Sequence, residues 1–177
     1  VINRTETYIH IDESSGWESL RKDIETCISL MPTAPLVVIL DPLFKMFNRN
    51  INNEEDVRPM LDKIDILMDE AKGGLSFIIV HHTRKAQSDG QGSTLNLGSQ
   101  DATGNRVLVR WCDTILRIDP DPRDKTKTKV NAEFTKTRNA EDIVPLMTLR
   151  WSKDTLHPTV HRTIPVNEDE EVDRGEF

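Results

Sequence analysis

Residues 36–42 read LVVILDP, and residues 75–83 read LSFIIVHHT. Each segment is an apolar run that ends abruptly in polar residues. A strand that is apolar on both faces is typical of the centre of a parallel sheet, covered on each side. We therefore predict two buried parallel strands, at 36–40 and 75–80, with polar side chains at their carboxyl ends.

The sequence around these two runs alternates between strand and helix periodicity. Residues 7–12 alternate in polarity and predict a strand, and Ser15 and Glu18 have the spacing of a capping box, which predicts a helix up to Pro32. Apolar residues recur at helical spacing over 53–71, between the two apolar runs. The order strand, helix, strand, helix, strand indicates a parallel sheet.

The second half of the chain has a different pattern. A polar stretch without periodicity at 84–100 predicts a long loop, and residues 102–111 predict a helix. Three further strands are expected at 114–118, 130–137 and 145–151, the last two as an antiparallel hairpin. The fold class predicted is α/β, with a mainly parallel sheet flanked by helices and a C-terminal antiparallel β-meander.

Composition sets the domain organisation that we expect. The chain has 177 residues, 36% of them hydrophobic, which is enough for one domain, and we place it at 1–165. The formal net charge is -7, but the last ten residues hold six acidic residues and one basic residue. We expect residues 166–177 to be an acidic, disordered tail. The remainder is nearly neutral, so a strongly basic protein that coats nucleic acid is excluded.

No apolar stretch approaches the roughly 20 residues of a membrane-spanning helix, and the polar N-terminal residues lack the core of a signal peptide. Cys27 and Cys112 lie far apart without a C-x-x-C motif, which excludes a disulfide framework and a zinc knuckle. We expect a soluble, cytoplasmic protein with no membrane partner. Because the first residue is Val1, we also expect the chain to be part of a longer protein.

The polar residues after the two apolar runs are the candidate site. A single carboxylate at the end of a buried strand, Asp41, suits a nucleotide-bound Mg²⁺, although Asp-Pro also caps turns. His81 and His82 are adjacent and should point to opposite faces, so they cannot chelate one metal together. One of them could sense a phosphate or an attacking water. His157 and His161 are expected to be surface residues.

Five segments together carry a family resemblance, namely residues 36–43, 77–85, 97–99, 116–118 and 136–139. They resemble the RecA-like ATPase family and, within it, the hexameric replicative helicases of plasmid and phage type. The resemblance covers roughly residues 7–152. It implies a RecA-like sheet, ATP and Mg²⁺ as cofactors, and assembly into a ring.

The resemblance also implies roles for the residues at the ends of the two apolar runs. Asp41 resembles the Walker B aspartate, which orders Mg²⁺ and is therefore both a catalytic and a metal-binding candidate. His82, or His81, resembles the sensor that links the γ-phosphate to the following loop. Thr83 is implied to contact the nucleotide.

Further roles fall on basic residues. The loop that begins with Arg84 and Lys85 resembles the segment that lines the ring's channel and grips single-stranded DNA, and Arg106 is a further DNA contact candidate. Lys136 and Arg138 match a Lys-x-Arg pair that reaches a neighbouring subunit's nucleotide as an arginine finger. Without the resemblance, the pair could equally be two solvated cations on a strand.

The sequence also departs from the family. The phosphate-binding motif G-x-x-x-x-G-K-[ST] is absent, since residues 90–94 lack its lysine, and Glu13 does not occupy the place of the catalytic glutamate. We therefore expect the C-terminal half of a RecA-like core, without the P-loop half and inactive alone. Two alternatives remain: a non-enzymatic, degenerate module for DNA binding or assembly, and a metal-dependent hydrolase built on Asp41, His82 and Asp113.

Overall fold

The computed structural model describes residues 9–72, 74–82, 106–121, 123–138, 140–141, 144–152, 154–155 and 157–164. The predicted loop at 84–100 and the predicted tail at 166–177 lie outside these residues. The chain divides into two compact units, Val1–Trp111 and Cys112–Phe177.

The first unit contains three helices and a parallel pair of strands. Its elements are α1 (Ser14–Leu30), β1 (Leu36–Leu40), a 3₁₀ helix (Leu43–Met46), α2 (Glu54–Glu70), β2 (Leu75–Ile79) and α3 (Arg106–Trp111). The strands pair in parallel from Leu36 opposite Leu75 to Leu40 opposite Ile79. Both predicted parallel strands are therefore confirmed.

The core of this unit lies on one face of the parallel pair. Alternate strand residues, Leu36, Val38 and Leu40 on β1 among them, pack against a cluster that includes Leu20 and Ile24 of α1. Further members of the cluster come from α2: Val57, Met60, Leu61, Ile64 and Leu67. These positions repeat at helical spacing, which is why the sequence pattern located both helices.

The other face of the parallel pair is exposed. Val37 and Ile39 of β1 are 52% and 61% exposed, and Ile78 of β2 is 50% exposed. The prediction that β1 is covered on both faces is thus wrong for this face. Successive strand side chains point to opposite sides, and α1 and α2 contribute their buried residues to the cluster on one side only.

The segment before α1 differs from its prediction as a strand. Residues 9–12 form coil and a turn. Ile11 is fully buried and its N–H donates to the carbonyl oxygen of Met46 at 2.9 Å. The Asp12 carboxylate accepts hydrogen bonds from the backbone N–H groups of Asn48 and Arg49. These hydrogen bonds attach the segment to the loop after the 3₁₀ helix.

The predicted capping box is also wrong. The N-cap of α1 is Glu13, without a side-chain capping hydrogen bond, and Ser15 already lies within the helix. The Glu13 carboxylate instead accepts a hydrogen bond from Asn48 Nδ2 at 2.6 Å. Gly16 follows in the first turn, where a Cβ atom would lie 2.0 Å from the carbonyl oxygen of His10. The helix starts where the chain backbone comes this close.

The second unit is an antiparallel sheet with the strand order β3-β4-β5-β6. Its strands are β3 (Thr114–Pro120), β4 (Lys129–Thr137), β5 (Leu146–Trp151) and β6 (Pro158–Ile164). The first three strands were predicted, and β6 was not. In β6, Pro158 occupies the first strand position, where a missing N–H is tolerated. His157 and His161 are exposed, as predicted.

The α/β fold class is confirmed, with a parallel pair, flanking helices and a C-terminal antiparallel meander. Within the described residues, no helix has the length and apolar character needed to cross a membrane.

Candidate functional site

The carboxyl ends of β1 and β2 meet at one edge of the parallel pair. Leu40 lies opposite Ile79, and the N–H of Val80 donates to the carbonyl oxygen of Leu40 at 2.9 Å. Asp41 and His81 are the next residues along each strand direction. The structure therefore brings these two predicted site residues to the same edge, and the Asp41 side chain is exposed there.

The turn after Asp41 contacts the second histidine. The Asp41-Pro42 peptide bond is cis, and the 3₁₀ helix follows. Its Phe44 ring lies 5.5 Å from the His82 ring, centroid to centroid, with the planes inclined by 51°. His81 is half-buried, whereas His82 is exposed. Sequence reasoning missed Phe44, because an aromatic residue after a strand gives no indication of the partner that its ring will meet.

The donor set at this edge fits magnesium better than a transition metal. No group of three or more His, Cys, Asp or Glu side chains that could hold a metal ion occurs among the described residues. Mg²⁺ is commonly held in proteins by one or two carboxylates, with phosphate and water oxygens as its other ligands. One exposed carboxylate, that of Asp41, is consistent with that mode.

The second group of predicted residues lies at one end of the β-meander, in the second unit. Lys136 is near the end of β4, and Arg138 is the first residue after that strand. The Arg138 guanidinium forms an ion pair with Asp113, with Nη1 and Oδ1 2.7 Å apart. The N–H of Arg138 also donates to the carbonyl oxygen of Asp113 at 2.9 Å. Asp113 thus holds both the backbone and the side chain of Arg138.

Sequence reasoning named Asp113 only as a hydrolase ligand. Its actual partner is 25 residues away and is reached because β3 and β4 pair antiparallel, with Thr114 opposite Thr137. That register brings the residues on either side of the two strands together. The periodicity of the sequence predicts the strands but not this register.

Burial and charge act on the groups around this ion pair. Burial lowers the pKa of the Lys136 ammonium group, and the neighbouring Arg138 cation lowers it further. Burial raises the pKa of the Cys112 thiol, while the Lys136 cation acts in the opposite direction. Cys112, Asp113, Lys136 and Arg138 therefore form one electrostatically connected group, which we call the finger cluster.

The arginine predicted to contact DNA lies on α3. Arg106 is its first residue and is exposed, as is Arg110 one turn later. The opposite side of α3 is anchored: Val107 is buried, and the Trp111 indole N–H donates to Asp65 Oδ1 of α2 at 2.7 Å. Thr83, Arg84 and Lys85 lie outside the described residues.

Comparisons with known proteins agree with this arrangement. A family profile for an AAA domain matches residues 6–88, a range that includes both parallel strands and the polar residues after them. No curated protein matches the chain. A solved structure, the ATPase domain of a helicase, is similar with a TM-score of 0.58 and 14% sequence identity. The similarity covers 80% of this chain and 50% of that one.

These comparisons confirm the predicted resemblance to RecA-like ATPase domains of the replicative-helicase type. At this level of identity, the solved structure establishes the fold. The present chain spans about half the length of the solved chain that it matches.

Proposed function

We propose that this chain, which has the fold of a RecA-like ATPase domain, is the C-terminal half of a DNA-dependent ATP-hydrolysing motor. In this proposal the edge of the parallel pair serves the nucleotide, and the finger cluster serves the nucleotide of a neighbouring subunit in a ring. The observation that carries the proposal is the juxtaposition of Asp41 and His81 at the carboxyl ends of β1 and β2. Ligands of α/β sheets bind beyond these ends.

Asp41 is the metal-ordering residue of the proposal. Its backbone is fixed by β1, whose last residue, Leu40, is 1% exposed, and its carboxylate is exposed beyond the strand. A bound Mg²⁺ would supply charge stabilisation to the phosphoryl group undergoing transfer. The task of Asp41 is to hold the water shell of that ion in a fixed position.

The histidines are the sensor of the proposal. His81 follows β2 directly beside the edge that carries Asp41, and His82 leads into the segment proposed to contact DNA. The ring contact between Phe44 and His82 links the turn after Asp41 to this segment. A displacement on the nucleotide side is thereby able to reach residues 84 and 85, where Thr83 would contact the phosphates and Arg84 and Lys85 the DNA backbone.

The finger cluster is the part of the proposal that requires a ring. Arg138 has five N–H donors in a planar fork, which suits the equatorial oxygens of a transferring phosphoryl group. In this structure Asp113 holds that fork, and the Arg138 side chain is still 52% exposed. Lys136 lies beside it with a lowered pKa, which is expected for a cation kept close to a second cation.

The decisive experiment uses mixed rings of the complete native protein. Asp41→Asn and Arg138→Ala should each reduce ATP hydrolysis, the arginine by about 10³-fold or more, as finger removal does elsewhere. When the two variants are mixed, a subunit with an intact Asp41 can receive Arg138 from its neighbour. Hydrolysis should then recover to about a quarter of the wild-type rate, because a head-to-tail ring interface pairs the two intact sites at random.

Asp62→Asn is the matched control, because Asp62 is an exposed carboxylate on α2 that pairs with Arg58. It should leave hydrolysis unchanged. No recovery in the mixed rings would reject a finger that acts between subunits. If all variants form rings and hydrolyse ATP at the wild-type rate, Asp41 and Arg138 are structural residues, and the non-enzymatic module for DNA binding or assembly is the correct function.

A further inference from the structure

The far end of the β-meander contains a cleft that the proposed function does not use. It lies at the end of β4 and β5 where the hairpin between β3 and β4 turns. The cleft measures about 500 Å³ and is lined by Thr126, Thr128, Arg150, Trp151, Ser152 and Thr159. A guanidinium, an indole and four hydroxyl groups are thus assembled at one place in the second unit.

Two cations face each other beside this cleft. Lys129 of β4 lies directly opposite Arg150 of β5 in the antiparallel register. Like charges at such opposing positions are destabilising. Neither side chain forms an ion pair within the described part of the chain, so no protein carboxylate there offsets the cost. An anionic ligand would.

The hairpin adds further positive charge and is held in one conformation. Residues 123–129 contain four basic residues and one acidic residue, although the chain as a whole has a net charge of -7. The acidic residue, Asp124, accepts hydrogen bonds from the backbone N–H groups of Thr126, Thr128 and Lys129 at 2.7 to 2.9 Å. Its charge is therefore engaged within the loop, and these hydrogen bonds lower the pKa of Asp124.

The hydroxyl groups of the cleft do not contribute equally to ligand binding. Thr126 and Thr128 donate to Asp124, and Thr159 donates to the carbonyl oxygen of Arg150. Ser152 accepts a hydrogen bond from the N–H of Thr155, which leaves its own hydrogen for a ligand. The donors available to an anion are accordingly the Arg150 guanidinium and the Ser152 hydroxyl.

Trp151 gives the cleft an aromatic surface. Its backbone N–H donates to the carbonyl oxygen of Thr128 at 2.7 Å, which fixes the residue against the hairpin, and 39% of the residue is exposed. An exposed indole beside a guanidinium is a combination that binds an unpaired base and its phosphate. The basic hairpin extends beyond the cleft, which favours a chain of phosphates over one phosphate group.

We propose that this cleft and the basic hairpin bind single-stranded nucleic acid, with a phosphate at Arg150 and Ser152 and a base stacked on Trp151. This site is separate from the segment at residues 84–85 and from the finger cluster. It needs neither ATP nor a ring, so it can be tested on the chain of 177 residues.

The test measures the fluorescence anisotropy of a fluorescein-labelled oligo(dT) of about 20 nucleotides, long enough to span a typical single-strand site, titrated with the chain at several salt concentrations. Arg150→Ala should weaken binding about tenfold at low salt and reduce the slope of log K against log salt by about 0.7, the value for one phosphate contact with a single strand. Trp151→Ala should weaken binding about tenfold with the slope unchanged, because stacking releases no counterions. An abasic oligonucleotide should be insensitive to Trp151→Ala.

Arg58→Ala is the matched control, since Arg58 is an exposed arginine on α2 in the first unit, and it should bind like wild type. Circular dichroism verifies that each variant is folded, and Arg150→Lys, which keeps the charge, should retain the salt slope. Unchanged affinity and slope in Arg150→Ala would overturn the proposal, as would the absence of binding by wild type. Displacement of the oligonucleotide by equimolar ATP or pyrophosphate would assign the cleft to free phosphates instead. Loss of binding in Arg106→Ala alone would place the DNA contact elsewhere and leave the proposed motor function standing.

Discussion

Gly16 provides a severe test of the packing between α1 and the segment before it. A Cβ atom at this position would lie 2.0 Å from the carbonyl oxygen, 2.6 Å from the carbonyl carbon and 2.9 Å from the nitrogen of His10. Ordinary contact begins at 3.4 Å, so Gly16→Ala requires the helix and the segment to separate by more than about 1 Å.

The separation cannot be absorbed by a flexible side chain, because all three atoms belong to the backbone. The segment is also held from its other side, by the hydrogen bond from the Ile11 N–H to Met46 and by the bonds to the Asp12 carboxylate. Overpacking of this kind typically costs about 1–3 kcal/mol, and loss of a buried hydrogen bond about 1 kcal/mol more. We expect Gly16→Ala to lower the free energy of unfolding by about 3 kcal/mol.

Helix propensity predicts the opposite sign, because alanine is favoured over glycine within a helix by about 1 kcal/mol. Urea unfolding followed by circular dichroism and tryptophan fluorescence measures the difference, and the buried Trp17 lies next to the mutated residue. Ser15→Ala, at an exposed position of the same turn, is the control and should be neutral or slightly stabilising. A Gly16→Ala variant as stable as wild type would refute the packing described here.

Burial and charge give three further predictions. Ile64→Ala should lower the free energy of unfolding by about 2–5 kcal/mol, because Ile64 is fully buried in the α2 cluster; chemical denaturation measures this. Asp113→Ala should change it by less than about 1 kcal/mol, since the ion pair with Arg138 is exposed on both sides, and a larger loss would show a structural role. Burial raises the pKa of Cys112, so iodoacetamide should alkylate it with a midpoint pH above that of the urea-unfolded chain, and Lys136→Met should raise the midpoint further. Because the native state retains this proton longer, unfolding stability should fall as pH rises above about 8.5 through the native pKa.

Local sequence patterns predicted most of the elements. The strand at 36–40 has the predicted bounds, and the meander strands differ from their predictions by one or two residues. The helix predicted from residue 53 begins at Glu54, with the Asn53 side chain accepting from the N–H of Glu55 as its cap. Such features depend on periodicity and capping within a few residues, so the chain's own order of side chains is sufficient.

The errors have a common physical cause. Residues 9–12 have alternating polarity but take their hydrogen bonds from the loop at 46–49, which lies far away in sequence. Glu13 bonds to Asn48 and does not form a capping box with its neighbours. In each case a partner distant in sequence competed with the local pattern and determined the conformation.

By itself, the sequence determined which segments become strands and helices and that Asp41 and His81-His82 follow two parallel strands, because side-chain periodicity is a local property. Tertiary structure alone decided the pairs that matter for function. The ion pair of Asp113 with Arg138 and the opposition of Lys129 to Arg150 both depend on the register of paired strands. Register is set by contacts over the whole sheet, and a shift of one residue would place every side chain on the other face.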